Sequence, residues 1–308
     1  MFERAKRLII DRLGIGRIAA HADELDAEVR HLRAVRDDLL REVSRLRADL
    51  AALEPAARWA RVHTVSAWCA EAPLLHEPRI SIVLATRNRA DLLQQAIDSV
   101  MAQTYPDWQL VVVDDGSTDA TTTLLAALDD ERIVTSRTTG IGAAAARNRG
   151  LELVTGDYVA FLDDDNVMAA GWLRAVAEYT GRHPECEVLY GAQVRQVEPD
   201  EPDGGSVAGL YLLFVDPFDP DRLRDHNYVD LGVIVVRRGH AELHFDEQLD
   251  IYIDWELFVR LARATPPHPL PVLASFYRTV APTRITSSHD RDERIAAMQR
   301  RFASPTEA

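Results

Sequence analysis

Cysteine is almost missing from this chain: only Cys69 and Cys186 occur in 308 residues. They stand far apart, without Cys-x-x-Cys or Cys/His spacing, which excludes a disulfide framework and a zinc-finger type of site and leaves two reduced thiols. Long apolar runs are lacking as well. None reaches the roughly 18 to 20 residues that cross a bilayer, and the N-terminus has no apolar core or small-residue cleavage site of a secretory signal. The expected location is the cytoplasm. Positive charge is in deficit, with 35 Lys and Arg against 49 Asp and Glu and a net charge of −14. That balance argues against a surface built to grip phosphates, so no nucleic-acid partner is expected. What remains is an ordinary apolar fraction of 47%, enough for one large domain with an appendage.

The appendage is N-terminal. Residues 1–20 set Phe2, Leu8, Ile9, Leu13 and Ile18 among Arg4, Lys6, Arg7, Arg12 and Arg17. Such a basic amphipathic segment fits the surface of an anionic membrane, allowing a peripheral contact at the inner face, and equally a solvated helix. Residues 21–56 carry apolar positions at alternating steps of four and three from Leu25 to Leu53, interrupted by Arg36. This is a heptad seam, about 28 residues or roughly 42 Å of helix. A charged residue in the seam costs stability and favours an in-register, low-order assembly, most simply a homodimer through a parallel coiled coil. The alternative is one amphipathic helix lying on the rest of the protein. Pro55 and the segment from Glu71 to Pro78 punctuate the chain beyond the seam, so residues 57–78 are expected to be a linker.

From Arg79 the pattern changes to short β-rich runs alternating with helical segments. Strands are expected at 79–85, 109–113, 133–136 and 158–162, and helices at 90–103, 119–128 and 143–154. Continuous apolar strands between helices imply an α/β fold with a mainly parallel sheet flanked by helices. Ligands of such sheets bind beyond the carboxyl ends of the strands. Asp114 and Asp115 end one strand there, and Asp163, Asp164 and Asp165 end another.

Three adjacent carboxylates repel one another and call for a cation or for donor groups. Mg²⁺ or Mn²⁺ takes hard oxygen ligands and is commonly held by one or two carboxylates, with substrate phosphates completing the shell. A solvated acidic loop is the simpler reading of the same run. In Asp114-Asp115-Gly116-Ser117-Thr118 a strand, turn and capped helix explain the small residues, and a carboxylate there can also accept from a uracil or thymine imide N–H.

The run SIVLATRNRADLLQQAIDSVMAQTYPDWQLVVVDDGSTDAT, Ser81 to Thr121, resembles the start of family 2 glycosyltransferases, which adopt the GT-A fold. GIGAAAARNRGLELVTGDYVAFLDDDN, Gly140 to Asn166, resembles their second block, and the likeness continues through Gly171-Trp172-Leu173 to DEQLDIYIDWELFVRLA, Asp246 to Ala262. It implies a GT-A domain over 79–285 with a C-terminal tail at 286–308. It further implies a nucleotide-diphosphate sugar as donor and an acceptor that the sequence does not name. Asp115 would recognise the base, Thr86 and Arg87 would line the base and ribose pocket, and Asp163 and Asp164 would lie on the donor. Asp165 would be the principal metal ligand and Asp254 the general base, with Arg147 and Asn148 steadying the diphosphate or packing the loop. With one base and back-side attack, configuration would invert. Glu256 is a second acid on the same helix, pointing elsewhere; Trp172 reads as core, and His289 as a surface residue.

The chain departs from the family pattern in places. Ala85 stands for a frequent Pro, Arg87 for an aromatic, and Ile253 for the acid usually preceding the base. Tyr277 and Arg278 lack the His that often follows. A Gln-x-x-Arg-Trp motif and membrane spans are absent, which favours transfer of a single sugar. Tyr211, Phe214 and Phe218, within Glu198 to Asp230, fall where the family forms its acceptor side. Breadth of the family points to cell-surface glycan or glycolipid assembly. The competing readings are a sugar nucleotidyltransferase, which would need a Gly-rich loop where this chain has ATRNRAD, and a coiled-coil scaffold whose transferase-like domain is inactive.

Overall fold

The computed structural model describes residues 3, 15–196, 210–213, 217–277 and 291–303. Most of the basic N-terminal segment, residues 197–209, Phe214, Arg278 and His289 lie outside the described residues. The chain divides into two compact units, Met1–Glu54 and Pro55–Ala308, each treated by itself.

Helix α1 (Ile15–Glu71) runs through the expected heptad segment and on past Pro55. Proline removes a helical hydrogen bond and crowds the preceding turn, and the boundary between the units falls there. Within the first unit, Val29, Leu32, Leu39 and Val43 are exposed. Beyond Pro55 the expected linker is instead helix to Glu71. Its side chains explain the difference, because Val62 and Cys69 are buried and Trp59 packs on the cluster of Val62, Val194 and Leu212. Apolar residues at helical spacing anchor this stretch to the second unit. Arg174 completes its C-terminus, donating from Nε to Ala70 O at 2.9 Å and from Nη2 to Ala72 O at 2.8 Å, so that terminal carbonyls gain partners.

The second unit is built on one sheet. Strands β1 (Ile80–Thr86), β2 (Trp108–Asp114), β3 (Ile133–Arg137) and β4 (Tyr158–Phe161) pair in parallel in the order β3-β2-β1-β4. The expected strands are therefore present, each within a residue of its expected bounds. Helices α2 (Ala90–Met101), α3 (Thr121–Ala126) and α4 (Ala143–Leu151) join them. Beyond β4 the sheet becomes mixed. It continues through β8 (Ile234–Arg237), β6 (Val188–Gln196), β9 (His268–Tyr277) and β5 (Val167–Met168), while β7 (Leu210–Leu213) pairs with β6. Strand β8 runs antiparallel to both β4 and β6. Apolar periodicity carries no strand direction, so this half was not distinguishable from the parallel one.

Helix α5 (Trp172–Arg182) lays Trp172, Leu173 and Val176 into the core. Trp172 is wholly buried, and a Cβ on Gly191 would come within 2.7 Å of its ring. Helix α6 (Pro220–Asp225) is capped by Asp219, whose side chain accepts from Arg222 N, and α7 (Ile253–Ala264) buries Trp255, Leu257 and Phe258. The expected C-terminal tail contains α8 (Arg291–Ala303). Phe302 lies edge-on to Trp255 with ring centroids 5.1 Å apart, and Arg294 and Arg301 bond Asp250 and Asp246. Residues 291–303 thus belong to the folded unit and brace the loop leading into α7.

Helix α4 sits close to β1 because Gly150 faces the strand: a Cβ there would lie 2.6 Å from Val83 Cγ1. Val83 is buried in a central strand and β-branched, so it has little room to yield. Gly150→Ala is expected to destabilise the protein by about 1–3 kcal/mol through overpacking, read as a lower urea midpoint at unchanged slope. An unaltered midpoint would show that the helix can move away from the sheet freely.

Candidate active site

The carboxyl ends of β1, β2 and β4 carry the acidic groups. At the end of β2 the two aspartates do different work. Asp114 accepts from Ser117 N at 2.8 Å and from Thr122 Oγ1 at 3.2 Å, and pairs with Arg137. It fixes the turn. Asp115 reaches across to the segment before α4, where Oδ1 accepts from Thr138 Oγ1 at 2.5 Å and Ile141 N at 2.7 Å, and Oδ2 from Gly142 N at 2.9 Å. Burial acts to raise its pKa, but these hydrogen bonds and the nearby Arg87 charge outweigh it and hold the carboxyl below its usual range. A carboxylate offers about four acceptor positions; three are filled, and one is left for a single N–H donor.

The loop after β1 is locked to this turn by Asn88, which adopts a left-handed backbone at φ +56°. Its Oδ1 accepts from Thr118 N at 2.7 Å, while its own N–H donates to Ser117 Oγ at 2.8 Å. Gly116, at φ +76°, lets this turn meet the segment before α4: a Cβ there would lie 2.9 Å from Gly140 N. Arg87 is exposed beside Gly140, within reach of Asp115.

The three aspartates after β4 differ in burial. Asp163 and Asp165 are partly exposed and Asp164 is buried. Asp164 accepts from Thr86 Oγ1 at 2.7 Å and from Arg89 Nη1 at 2.8 Å. Thr86 and Asp164 were expected on the donor; their polar atoms face each other inside the frame, where Asp164 sits in a turn closed by Asn166 N donating to Asp163 O at 3.1 Å. Arg89 Nη1 also donates to Asp165 at 3.0 Å. Burial, then the charges of Asp163 and Asp164, push the Asp165 carboxyl up to about 6, with Arg89 opposing. Asp163 accepts from Arg147 Nη2 at 2.6 Å.

Asp254, in the first turn of α7, accepts from Asn227 Nδ2 at 2.9 Å. Burial foremost raises its pKa, the Asn227 and Trp255 hydrogen bonds lower it, and the charges of Asp163 and Arg147 act on it in opposite senses. Asp254 therefore shares its surroundings with the end of β4 and with α4. The residue before it but one, Tyr252, has φ +56°, a rare conformation for an aromatic residue. Glu256 is directed elsewhere, in a salt bridge with Arg260 at 3.0 Å. Asn148 settles on loop packing: it donates to Phe245 O at 2.9 Å and Glu247 Oε1 at 2.8 Å, and accepts from Phe245 N at 2.8 Å.

A further carboxyl was not found from the sequence. Asp230 precedes the short 3₁₀ turn Leu231–Val233, and its Oδ1 accepts from Gly232 N at 2.9 Å and from Gln193 Nε2 at 3.0 Å. Burial, Asp163 and Asp254 together push it up to about 7. It escaped notice because it stands before an antiparallel strand, where the rule for carboxyl ends of parallel strands does not apply. Arg89, in the loop after β1, was missed as the counter-ion of the triplet.

Among the described residues no three His, Cys, Asp or Glu side chains converge to form a complete metal site. Asp163 and Asp165, partly exposed hard oxygen donors, nevertheless fit an ion such as Mg²⁺ or Mn²⁺ that takes one or two protein carboxylates and fills its other positions from phosphate oxygens. Acid clusters at the carboxyl ends of β2 and β4 and a separate carboxyl in the first turn of α7 are arranged as expected of a GT-A-type domain.

Comparison with known proteins agrees. The model of "Glycosyl transferase family 2" matches residues 81–228. The "PGL/p-HBAD biosynthesis glycosyltransferase" of Mycobacterium bovis is 39% identical over 189 residues, covering 59% of this chain and 69% of the relative. A "Putative teichuronic acid biosynthesis glycosyltransferase TuaG" of Bacillus subtilis is 41% identical over 93 residues, 29% of this chain and 37% of that protein. Among solved structures, S. aureus TarS 1-349 in complex with UDP-GlcNAc superimposes with a TM-score of 0.57 at 19% identity, over 71% of this chain and 66% of TarS 1-349. The mannosyltransferase PcManGT from Pyrobaculum calidifontis, in complex with GDP-Man and Mn²⁺, gives a TM-score of 0.53 at 19% identity over 82% of this chain and 74% of that chain. This chain belongs to glycosyl transferase family 2.

Asp165 and Asp230 carry a consequence for stability. Both have folded pKa values above the ordinary 3.8, at about 6 and about 7. Between roughly pH 4 and 7 the folded chain then binds more protons than the unfolded one, so this contribution to stability is lost as pH rises. The metal-free protein should melt a few degrees lower at pH 8 than at pH 5, and Asp230→Asn should flatten that slope while keeping the acceptor for Gly232 N. Thermal melts across this range test it; a variant with the same slope as wild type would remove Asp230 as the source.

Proposed function

We propose that this protein transfers a single sugar from a nucleoside diphosphate sugar to an acceptor hydroxyl, inverting the anomeric carbon, in the assembly of a cell-surface glycan or glycolipid. The observation that carries the reading is the gathering of Asp163, Arg147 and Asp254 from β4, α4 and α7 into one electrostatic environment. Relatives named for PGL/p-HBAD and teichuronic acid biosynthesis support the placement in envelope chemistry. The loop after β1 contains no glycine, which gives a nucleotidyltransferase no phosphate cradle there.

In the proposed reaction Asp115 receives the base through its remaining acceptor position, with Arg87 beside it. Asp165, assisted by Asp163, would hold Mg²⁺ or Mn²⁺, which when bound neutralises charge on the diphosphate. Arg147 stands between Asp163 and Asp254, where a cation also attracts phosphate oxygens. The acceptor oxygen bonds to the anomeric carbon from the side opposite the diphosphate. As that bond forms, the bond from the carbon to the diphosphate oxygen breaks, the electron pair leaves with the nucleoside diphosphate, and the hydroxyl proton passes to Asp254. A carboxylate partly withdrawn from water, oriented by Asn227, is more basic than a free one and better matched to that task.

A panel of nucleotide sugars screened by thermal shift with and without Mn²⁺ identifies the donor, since a ligand at 100 times its Kd stabilises by about 2.7 kcal/mol. Asp165→Ala should abolish the Mn²⁺-dependent part of the shift. Asp254→Asn should leave the shift intact and lower transfer by about 10²–10⁴-fold. Equal turnover in Asp254→Asn and wild type would remove the base; an undiminished Mn²⁺ effect in Asp165→Ala would move the ion elsewhere.

A further inference from the structure

We propose that residues 25–53 pair with the same residues of a second copy of this chain as a parallel, in-register coiled coil. The inference stands on the first unit alone and does not depend on the reaction assigned to the second.

The helix presents an uncovered seam. Val29, Leu32, Leu39 and Val43 are 41%, 59%, 61% and 44% exposed, on the heptad stripe where an isolated helix would leave a row of apolar groups in water. The kinds of residue on that stripe are sorted. The d positions, 25, 32, 39, 46 and 53, are all leucine, and the a positions are Val29, Arg36, Val43 and Leu50. β-Branched residues at a with leucine at d favour two strands over three or four. Arg36 brings a cost when two copies meet in register, but its long stem can lie along the seam while the guanidinium reaches solvent.

Orientation is set by the flanking positions. In a parallel pair each g residue meets the e residue of the next heptad on the partner helix. Here that rule joins Glu28 to Arg33, Val35 to Leu40 and Glu42 to Arg47, with only position 49 meeting an equal charge at 54. Val35 and Leu40 are the informative pair. They are 41% and 58% exposed and lie off the a and d stripe, and only the parallel register brings each against the other, widening the apolar contact on either side of Arg36. An antiparallel pair would instead oppose g with g and e with e. That arrangement sets Glu28, Glu42 and Asp49 against one another and Arg33 against Arg47, which is repulsive. The outer face is polar, with Arg41 bonded to Asp38 at 2.5 Å and both side chains more than two-thirds exposed, so it offers no competing apolar contact.

Sedimentation velocity of the full chain tests the partner, and cysteine cross-linking tests the register. Wild type should sediment as a dimer at micromolar concentration, and the double substitution Leu32→Glu, Leu39→Glu should weaken dimerisation by at least about 100-fold. Nucleotide-dependent thermal shift, read on the same variant, should be unchanged, which separates loss of pairing from loss of folding. Under mild oxidation Leu39→Cys should form an interchain disulfide in high yield, because a d position faces itself only in the parallel register; Asp38→Cys on the outer face should not, and the buried Cys69 and Cys186 should give none in wild type. A monomeric wild type, or a dimer that survives the double substitution, would overturn the coil. A dimer in which Leu39→Cys stays reduced would overturn the parallel register.

Discussion

Like charge crowded at one sheet edge is the constraint around which the second unit is arranged. Asp163, Asp164, Asp165, Asp230 and Asp254 are brought together by elements that have no choice about where they end, since the strand and helix termini are fixed by the core beneath them. Ionised together in a partly desolvated space they would repel strongly. The fold answers with two arginines placed differently. Arg89 binds Asp164 and Asp165 through one nitrogen, and Arg147 binds Asp163. Burial foremost, and then the neighbouring carboxylates, raise the pKa values of Asp165, Asp230 and Asp254.

Backbone strain falls at the same place. Among the described residues the non-glycine positions with positive φ are Asn88 and Tyr252, one in the loop after β1 and the other two residues before Asp254. Asparagine tolerates that conformation better than most residues, and the Asn88 side chain is held there by accepting from Thr118 N in the turn after β2. Tyr252 has no such relief. It is held by its ring packing edge-on to Trp255 at 5.8 Å and by α8 bracing the preceding loop through Arg294 and Arg301. Strain of this kind persists only where surrounding structure over-determines it, and here the over-determination serves to aim one carboxylate.

Much of this was legible in the chain. The strands from Ile80 to Phe161 announce themselves as unbroken apolar runs, and the acids that end them are placed by where such strands terminate. Asp163 and Asp254 lie within electrostatic reach of one another. Other features depend on information that periodicity does not hold. That residues 57–71 continue α1 is decided by what Trp59, Val62 and Cys69 pack against. That 291–303 is an integral helix is decided by Trp255 and the acids at 246 and 250. Thr86 and Asp164 carry the residue types of a binding pocket but bond each other, because the turn that follows β4 buries the central acid, and residue type alone does not set direction in a turn. Asp230 belongs to the mixed half of the sheet, whose strand directions come from long-range pairing.

Asp115 shows why the two ends of the site act together. Its carboxylate anchors Thr138, Ile141 and Gly142, and Gly142 is the residue from which α4 begins. One turn further, Arg147 reaches Asp163 and stands over the Phe245 ring at 5.8 Å, while Asn148 grips the backbone of Phe245 from both sides. The turn at Asp115 thus reaches the foot of the helix whose Arg147 bonds Asp163 and whose Asn148 bonds the loop toward α7. The turn at Asp115, the acidic triplet and the loop before α7 share one short helix, held against β1 by a glycine. The close packing of that helix on β1 explains why a residue with no room for a side chain stands at Gly150, in a helix that would otherwise be stabilised by alanine.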